Sequence, residues 1–400
     1  MTSPANQHEQ IIPSNWPAIL SLSFAMFCLI SIELLPISLL TPMAADLGVT
    51  ISAAGQVVTA TATIAAIASP LVIFGARRID RQKIVWGLTA LLIASSLATA
   101  FASNLTVLLT ARALLGLSLG GLWGLATSLV LRLVPPEKVP KAMSLFFGGV
   151  TLASIAAPAI GVYLGNLWGW RTLFVAMAAV SGFAFLLQLA SMPKLPSPIP
   201  PGVESFRVTM TRRSIQVGLL TVFLVLSGQF AGFTFIRPFL EDVANLSINW
   251  ISIALLLFGA GGMLGTAIGG ILAAKSPSLA AGTAALTLAL SVIALLLLQA
   301  SHEAALISVL IWGIAFGAFP VAISTWNARA AADHAESAGA LLATSFQVAV
   351  AVGAITGGTA VDSYGLSGAF AYCAAAVLSG AFIMLILGRR MEKHLLALQK

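Results

Sequence analysis

The segment LTVLLTARALLGLSLGGLWGLATSLVLRLVPPEKVPK, Leu105–Lys141, is an apolar run with one charge inside it, Arg112, followed by a short gap holding Arg132, Lys138 and Lys141. About 20 apolar residues in a helix cross roughly 30 Å of hydrocarbon, so the run 105–131 is long enough to span a bilayer. The same alternation continues in both directions. Runs near 17–41, 53–75 and 84–102 precede it, and 142–163 and 171–190 follow. Beyond a longer gap come 215–238, 250–273, 279–299, 304–326, 337–360 and 367–388. The pattern predicts an all-α polytopic membrane protein with twelve transmembrane helices. Composition agrees: with 59% apolar and 8% charged residues, a soluble chain of 400 residues would lack the polar surface to cover itself.

The basic residues set the orientation. Arg77, Arg78, Arg81 and Lys83 lie in the second gap, Arg132, Lys138 and Lys141 in the fourth, and Lys194, Arg207, Arg212 and Arg213 in the sixth. Lys275 and Arg329 fall in the eighth and tenth, and Arg389, Arg390, Lys393 and Lys400 follow the last run. Only Arg112, Arg171 and Arg237 of the 20 Lys and Arg depart from this, which predicts cytoplasmic termini. The net charge of +7 is therefore a topology signal. No basic stripe with interleaved aromatics suggests a nucleic-acid partner.

Residues 191–214 contain Pro193, Pro196, Pro198, Pro200 and Pro201 and read as a cytoplasmic linker. It divides an N-terminal bundle, 17–190, from a C-terminal one, 215–388, with tails at 1–16 and 389–400. An offset of 196 relates the two: Pro42 and Asp46 meet Pro238 and Asp242, Gly121 meets Gly317, and Gly161, Gly169 and Phe174 meet Gly357, Gly365 and Phe370. Prolines, acids and turn glycines held at one offset imply a duplication, hence two pseudo-symmetric six-helix bundles around a central pathway.

Few residues work against the bilayer. Glu33 lies in the first run, where an acid at helix centre costs about 2.5–3.5 kcal/mol, so it should face the interior and handle a proton or a substrate. Arg112 offers a fork of donors able to hold a carboxylate, tune a neighbour's proton affinity or bridge helices. Arg237, beside Pro238, can either snorkel toward water or take a functional part. Gln56, Thr59, Trp123, Gln229, Phe233, Trp326, Asn327 and Gln347 supply amides, a hydroxyl and ring faces suited to an uncharged, polar, planar solute. Gly116 and Gly161 belong to small-residue stripes that permit close helix approach, and Pro158 removes one hydrogen bond midway along the fifth run.

Cys28 and Cys373 sit inside apolar runs with neither metal nor redox spacing, and read as buried small hydrophobes. The first 14 residues lack a signal peptide's basic start, so the first run reads as a retained anchor. No phosphate loop or histidine cluster predicts an enzyme, a metal or a cofactor; His8, His302, His334 and His394 fall in tails or loops. Uphill transport would draw on an ion gradient, and no obligate protein partner is evident, so a monomer is expected.

Arg112-Ala-Leu-Leu-Gly116, and Ala157-Pro158-Ala-Ile-Gly161 followed by Gly169-Trp170-Arg171-Thr-Leu-Phe174, resemble the fourth- and fifth-helix motifs of the major facilitator superfamily, in particular its drug and metabolite proton antiporters. Three further segments are similar to bacterial inner-membrane purine ribonucleoside efflux pumps: Glu33 to Gly48, Arg132 to Ala142, and Gly228 to Pro238. The resemblance implies the major facilitator fold and export of inosine, guanosine and analogues in exchange for protons, with Glu33 and Arg112 in proton coupling. Sugar effluxers and small-drug antiporters are the neighbouring alternative. In the loop 2/3 signature Asp80-Arg81 is kept, but Ala76 and Lys83 stand where glycines are usual. Leu115 replaces a common Gln, and Ala157 a common Gly.

Overall fold

The computed structural model describes residues 14–75, 79–135, 138–196, 203–298 and 301–392. Ala76, Arg77, Arg78, Pro136, Pro198, Pro200, Pro201, Lys393, Lys400, His8 and His394 lie outside them. The first six spans are α1 (Trp16–Leu47), α2 (Ile51–Gly75), α3 (Arg81–Ala100), α4 (Leu105–Leu133), α5 (Val139–Trp168) and α6 (Trp170–Ser191). A short α7 (Val203–Met210) falls in the linker, where the proline content predicts irregular chain. The last six spans are α8 (Arg213–Phe233), continued by α9 (Ile236–Pro238), then α10 (Ile248–Lys275), α11 (Pro277–Leu297), α12 (His302–Ala330), α13 (Ala335–Tyr364) and α14 (Leu366–Ile383). Among the described residues, twelve helices are long and apolar enough to cross a membrane.

Most helices extend a few residues past their apolar runs, and five of them begin on a polar cap. The side chains of Asn15, Asp80, Asn104, Ser276 and Ser301 each accept a backbone N–H in the first turn of the helix that follows. The seventh span differs from its predicted limits, 215–238. Its helix ends at Phe233, turns, and resumes as α9 and a wide π turn, Phe239–Val243. Pro238 has no N–H with which to continue the ladder to Thr234, so a break one turn before it is the physical result.

Helix packing repeats across the halves. In the first, α1 packs on α5 and α6, α2 on α4, and α3 on α4 and α6. In the second, α8 packs on α13 and α14, α10 on α12, and α11 on α12 and α14. These are the same pairs, shifted by six spans. The duplicated turn glycines share a backbone conformation, φ 78° at Gly169 and 72° at Gly365, and each joins two consecutive spans directly.

Close crossings depend on missing side chains. A Cβ at Gly265 would collide with the backbone of Ile314, and one at Gly269 with that of Ala318, so α10 lies almost backbone to backbone on α12. Gly265→Val is expected to force these helices apart and remove most folded protein, measured as the monodisperse fraction after detergent extraction. The partly exposed Gly270→Val serves as the tolerated control, since a Cβ there meets nothing within 4 Å.

Both termini share one end of the molecule. Asn15 donates its backbone N–H to Leu133 at the end of α4 and its side-chain amide to Ser191 at the end of α6, while Glu392 accepts from Ser276 at the start of α11. At this end Arg212 donates to Asp333 at 2.6 Å. The arginine bond holds the Asp333 carboxyl down to about 2, so the tie stays charged at physiological pH. The halves meet at the opposite end. There α2 packs on α13 and α5 on α10, through Ser52 Oγ to the Gly358 carbonyl at 3.0 Å and Asp362 at 2.9 Å, and through Ser252 Oγ to the Ala159 carbonyl at 2.8 Å.

Candidate functional site

Pro36 lies inside α1, and its missing N–H leaves the carbonyl of Ile32, one turn earlier, without a helical donor. Arg112 fills that gap. From α4 it donates Nη1 to the Ile32 carbonyl at 2.9 Å and Nη2 to the Glu33 carbonyl at 3.2 Å, and it is fully buried. Its own carbonyl accepts from Thr61 of α2, and that of Ala111 accepts from Ser95 of α3. Arg112 thus ties α4 to α1 and α2, rather than acting as a clamp on a carboxylate. Gly116, one turn on, lets α4 lie against the backbone of Thr61 and Ala65.

This arrangement leaves the Glu33 side chain unusual. The guanidinium stands near it, yet binds its backbone oxygen, and the carboxylate has no hydrogen-bond partner among the described residues. Glu33 is partly exposed, not sealed in the core. A carboxylate placed this way can change charge without breaking the bonds that hold α1 to α4.

The 196-residue offset puts Gln229 of α8 at the position of Glu33, an equivalence readable in the sequence but absent from the pairs that first revealed the duplication. Gln229 is completely buried, and its Oε1 accepts from Trp312 Nε1 at 2.6 Å. Its Nε2 has no partner among the described residues. Around it lies an aromatic stack: Phe233 on Phe258 at 4.4 Å, Phe258 on Phe316 at 5.9 Å, and Trp312 edge-on to both Phe233 and Phe258. One half therefore presents an acid where the other presents an amide locked into rings.

The other sequence candidates divide by exposure. Gln56 is exposed, and Thr59, Trp123 and Gln347 are partly exposed, on α2, α4 and α13. Trp123 rests against Phe147 at 6.1 Å. Trp326 and Asn327 are buried in the second half: the indole donates to the Ser214 carbonyl at 3.1 Å and the amide to the Ala338 carbonyl at 2.6 Å. Those two bonds tie α12 to the starts of α8 and α13. Phe233 is 4% exposed and committed to the ring stack.

Among the motif residues, Asp80 caps α3 through the Gln82 N–H and also accepts the Leu195 N–H, both at 2.9 Å, joining loop 2/3 to the chain after α6. Arg81 is buried, and its backbone N–H donates to the Leu195 carbonyl. Pro158 sits inside a continuous α5, and Gly161 lies against Leu35 and Ser38 of α1. Arg237 corrects the sequence reading. It does not snorkel: it is 4% exposed and donates Nη1 to the Ser38 carbonyl across the seam. The signal for both arginine contacts was a proline four residues after the accepting carbonyl.

The chain is 38% identical over 371 residues to the purine ribonucleoside efflux pump NepI of Salmonella paratyphi B, covering 93% of this chain and 92% of that one. It is equally similar to the NepI of Shigella sonnei, over 377 residues and 95% of that protein. In fold it is like a bacterial homolog of the human lysosomal transporter Spinster, in an inward-facing and occupied conformation. That match has TM-score 0.77 and 18% identity, and covers 93% of this chain and 96% of the other. A second structure of that homolog, inward-facing and unoccupied, matches at TM-score 0.72. Residues 20–353 match the Major Facilitator Superfamily, and the repeated six-span packing is that of the same fold, so the chain belongs to this superfamily of secondary transporters.

Proposed function

We propose that the protein exports purine ribonucleosides, such as inosine, guanosine and their analogues, across the bacterial inner membrane in exchange for protons. The observation that carries the reading is the Glu33 carboxylate, without a hydrogen-bond partner among the described residues and beside a committed Arg112, in a chain similar to NepI over 93% of its length. Residues 17–190 and 215–388 rock as two bodies, with the termini and linker cytoplasmic as the basic residues indicate. The cross-half bonds at the opposite end support a state closed to the outside. Glu33 takes its proton from outside; release of that proton inward accompanies cargo export. Gln56, Thr59, Trp123 and Gln347 keep accessible surface and are the contacts proposed for base and ribose in this state. Gln229, Phe233, Trp326 and Asn327 shape the second-half wall behind them.

The test is transport in sealed proteoliposomes under an imposed pH gradient, with inosine, guanosine, arabinose and a cationic dye as the panel. Nucleoside movement that dissipates the gradient is expected. Movement of arabinose or dye, with inosine neither moving nor competing, would assign the protein to sugar or drug antiport instead.

A further inference from the structure

Two prolines interrupt the ladder of α1, and each frees a carbonyl one turn earlier: Pro36 frees Ile32 and Pro42 frees Ser38. Both carbonyls are taken by arginines, but from different bodies. Arg112 reaches Ile32 from within the first half, whereas Arg237 reaches Ser38 from the second. The first bond joins helices of one bundle. The second crosses the seam that opens and closes.

We propose that Arg237 positions the two halves as the outer latch of the transport cycle, holding the external end shut through the Ser38 carbonyl and releasing it when that end opens. Each partner has somewhere to go. Arg237 carries Glu241 with it, one turn on in the π segment, with Nε and Oε2 3.5 Å apart. A guanidinium that leaves Ser38 is therefore not stranded as a bare charge. The Ser38 carbonyl lies in the outer half of α1 and faces the seam, so parting of the halves opens it to water. Lateral ties around the latch are few and replaceable: Ser52 to Gly358 and Asp362, Ser252 to Ala159, and the Phe235 ring against Gly55. Ser52 to Asp362 is charge-assisted through its acceptor, whereas Arg237 supplies the cationic donor, buried on the seam, and so takes a large share in setting the closed population.

The inference rests on the alternating-access part of the proposed function and not on the cargo. Spin labels at Asn166→Cys and Asn249→Cys face each other across the seam, at the external ends of α5 and α10, where these residues line one surface recess. Cys28 and Cys373 are buried and stay unlabelled. In Arg237→Gln the label distances are expected to shift toward the longer, outer-open set, by about tenfold in population ratio for loss of one charged hydrogen bond. Arg237→Lys, which keeps a charged donor, should restore part of the closed set. Pro42→Ala returns a helical donor to Ser38 while leaving Arg237 in place, and should shift the distances in the same direction by a smaller factor. If Arg237→Gln fails to insert, Pro42→Ala decides alone. Wild-type distances in Arg237→Gln, or in Pro42→Ala where that variant decides, would overturn the latch. A single fixed distance in the wild type under every gradient would overturn alternating access and the latch together. Distances that respond as expected in a protein that moves no nucleoside would support the latch and remove only the cargo.

Discussion

Glu33→Gln is expected to abolish gradient-driven nucleoside efflux, by about 10²-fold or more, the scale associated with losing an essential proton-transfer group. Nucleoside exchange at equal pH on both sides should persist. The amide keeps the shape of the side chain and removes only its titration. Because the carboxylate has no hydrogen-bond partner among the described residues, and Arg112 binds the backbone oxygen instead, the change should leave melting temperature nearly unaltered. The second half already holds an amide at the equivalent position, Gln229, so the fold accommodates the group. Efflux and exchange measured side by side in proteoliposomes decide the point. Wild-type pumping by Glu33→Gln would take this residue off the proton route.

Arg112→Ala should damage the fold more than the pump. Two hydrogen bonds from a charged group are lost, each contributing about 1.5–3 kcal/mol. The Ile32 carbonyl then loses its donor at the one place in the turn where Pro36 supplies no helical N–H. A loss of about 3–6 kcal/mol is enough to unfold many domains. The diagnostic variant is Arg112→Ala with Pro36→Ala. Restoring an N–H at position 36 gives Ile32 its helical donor and should recover about 1–2 kcal/mol, a coupling that independent sites would not show. Thermal melts in detergent of the two single variants and the double measure it. A double variant no more stable than Arg112→Ala would mean that the arginine does not substitute for the proline gap.

The difference between these two variants marks where sequence reading succeeded and stopped. Glu33 and Arg112 stood out because charge is rare in apolar runs, a local property of the chain. What each group touches was not local. Arg112 and Ile32 are 80 residues apart, and Arg237 and Ser38 are 199 apart, so the proline gaps could be seen without showing which donors fill them. Trp326 and Asn327 looked like solute contacts for the same reason. Their residue types suit a sugar or a base, but packing turned them inward as ties between α12 and its neighbours.

The sequence by itself determined the twelve spans, their alternating charge and the duplication at 196 residues, because hydrocarbon thickness, basic-loop bias and turn glycines act on short stretches of chain. Only the tertiary structure decided which end of the seam is closed, that the Glu33 carboxylate has no hydrogen-bond partner among the described residues while Gln229 is locked to Trp312, and that two arginines complete one broken helix. Hydrogen bonds and close packing act over a few ångströms in space, whatever the separation along the chain.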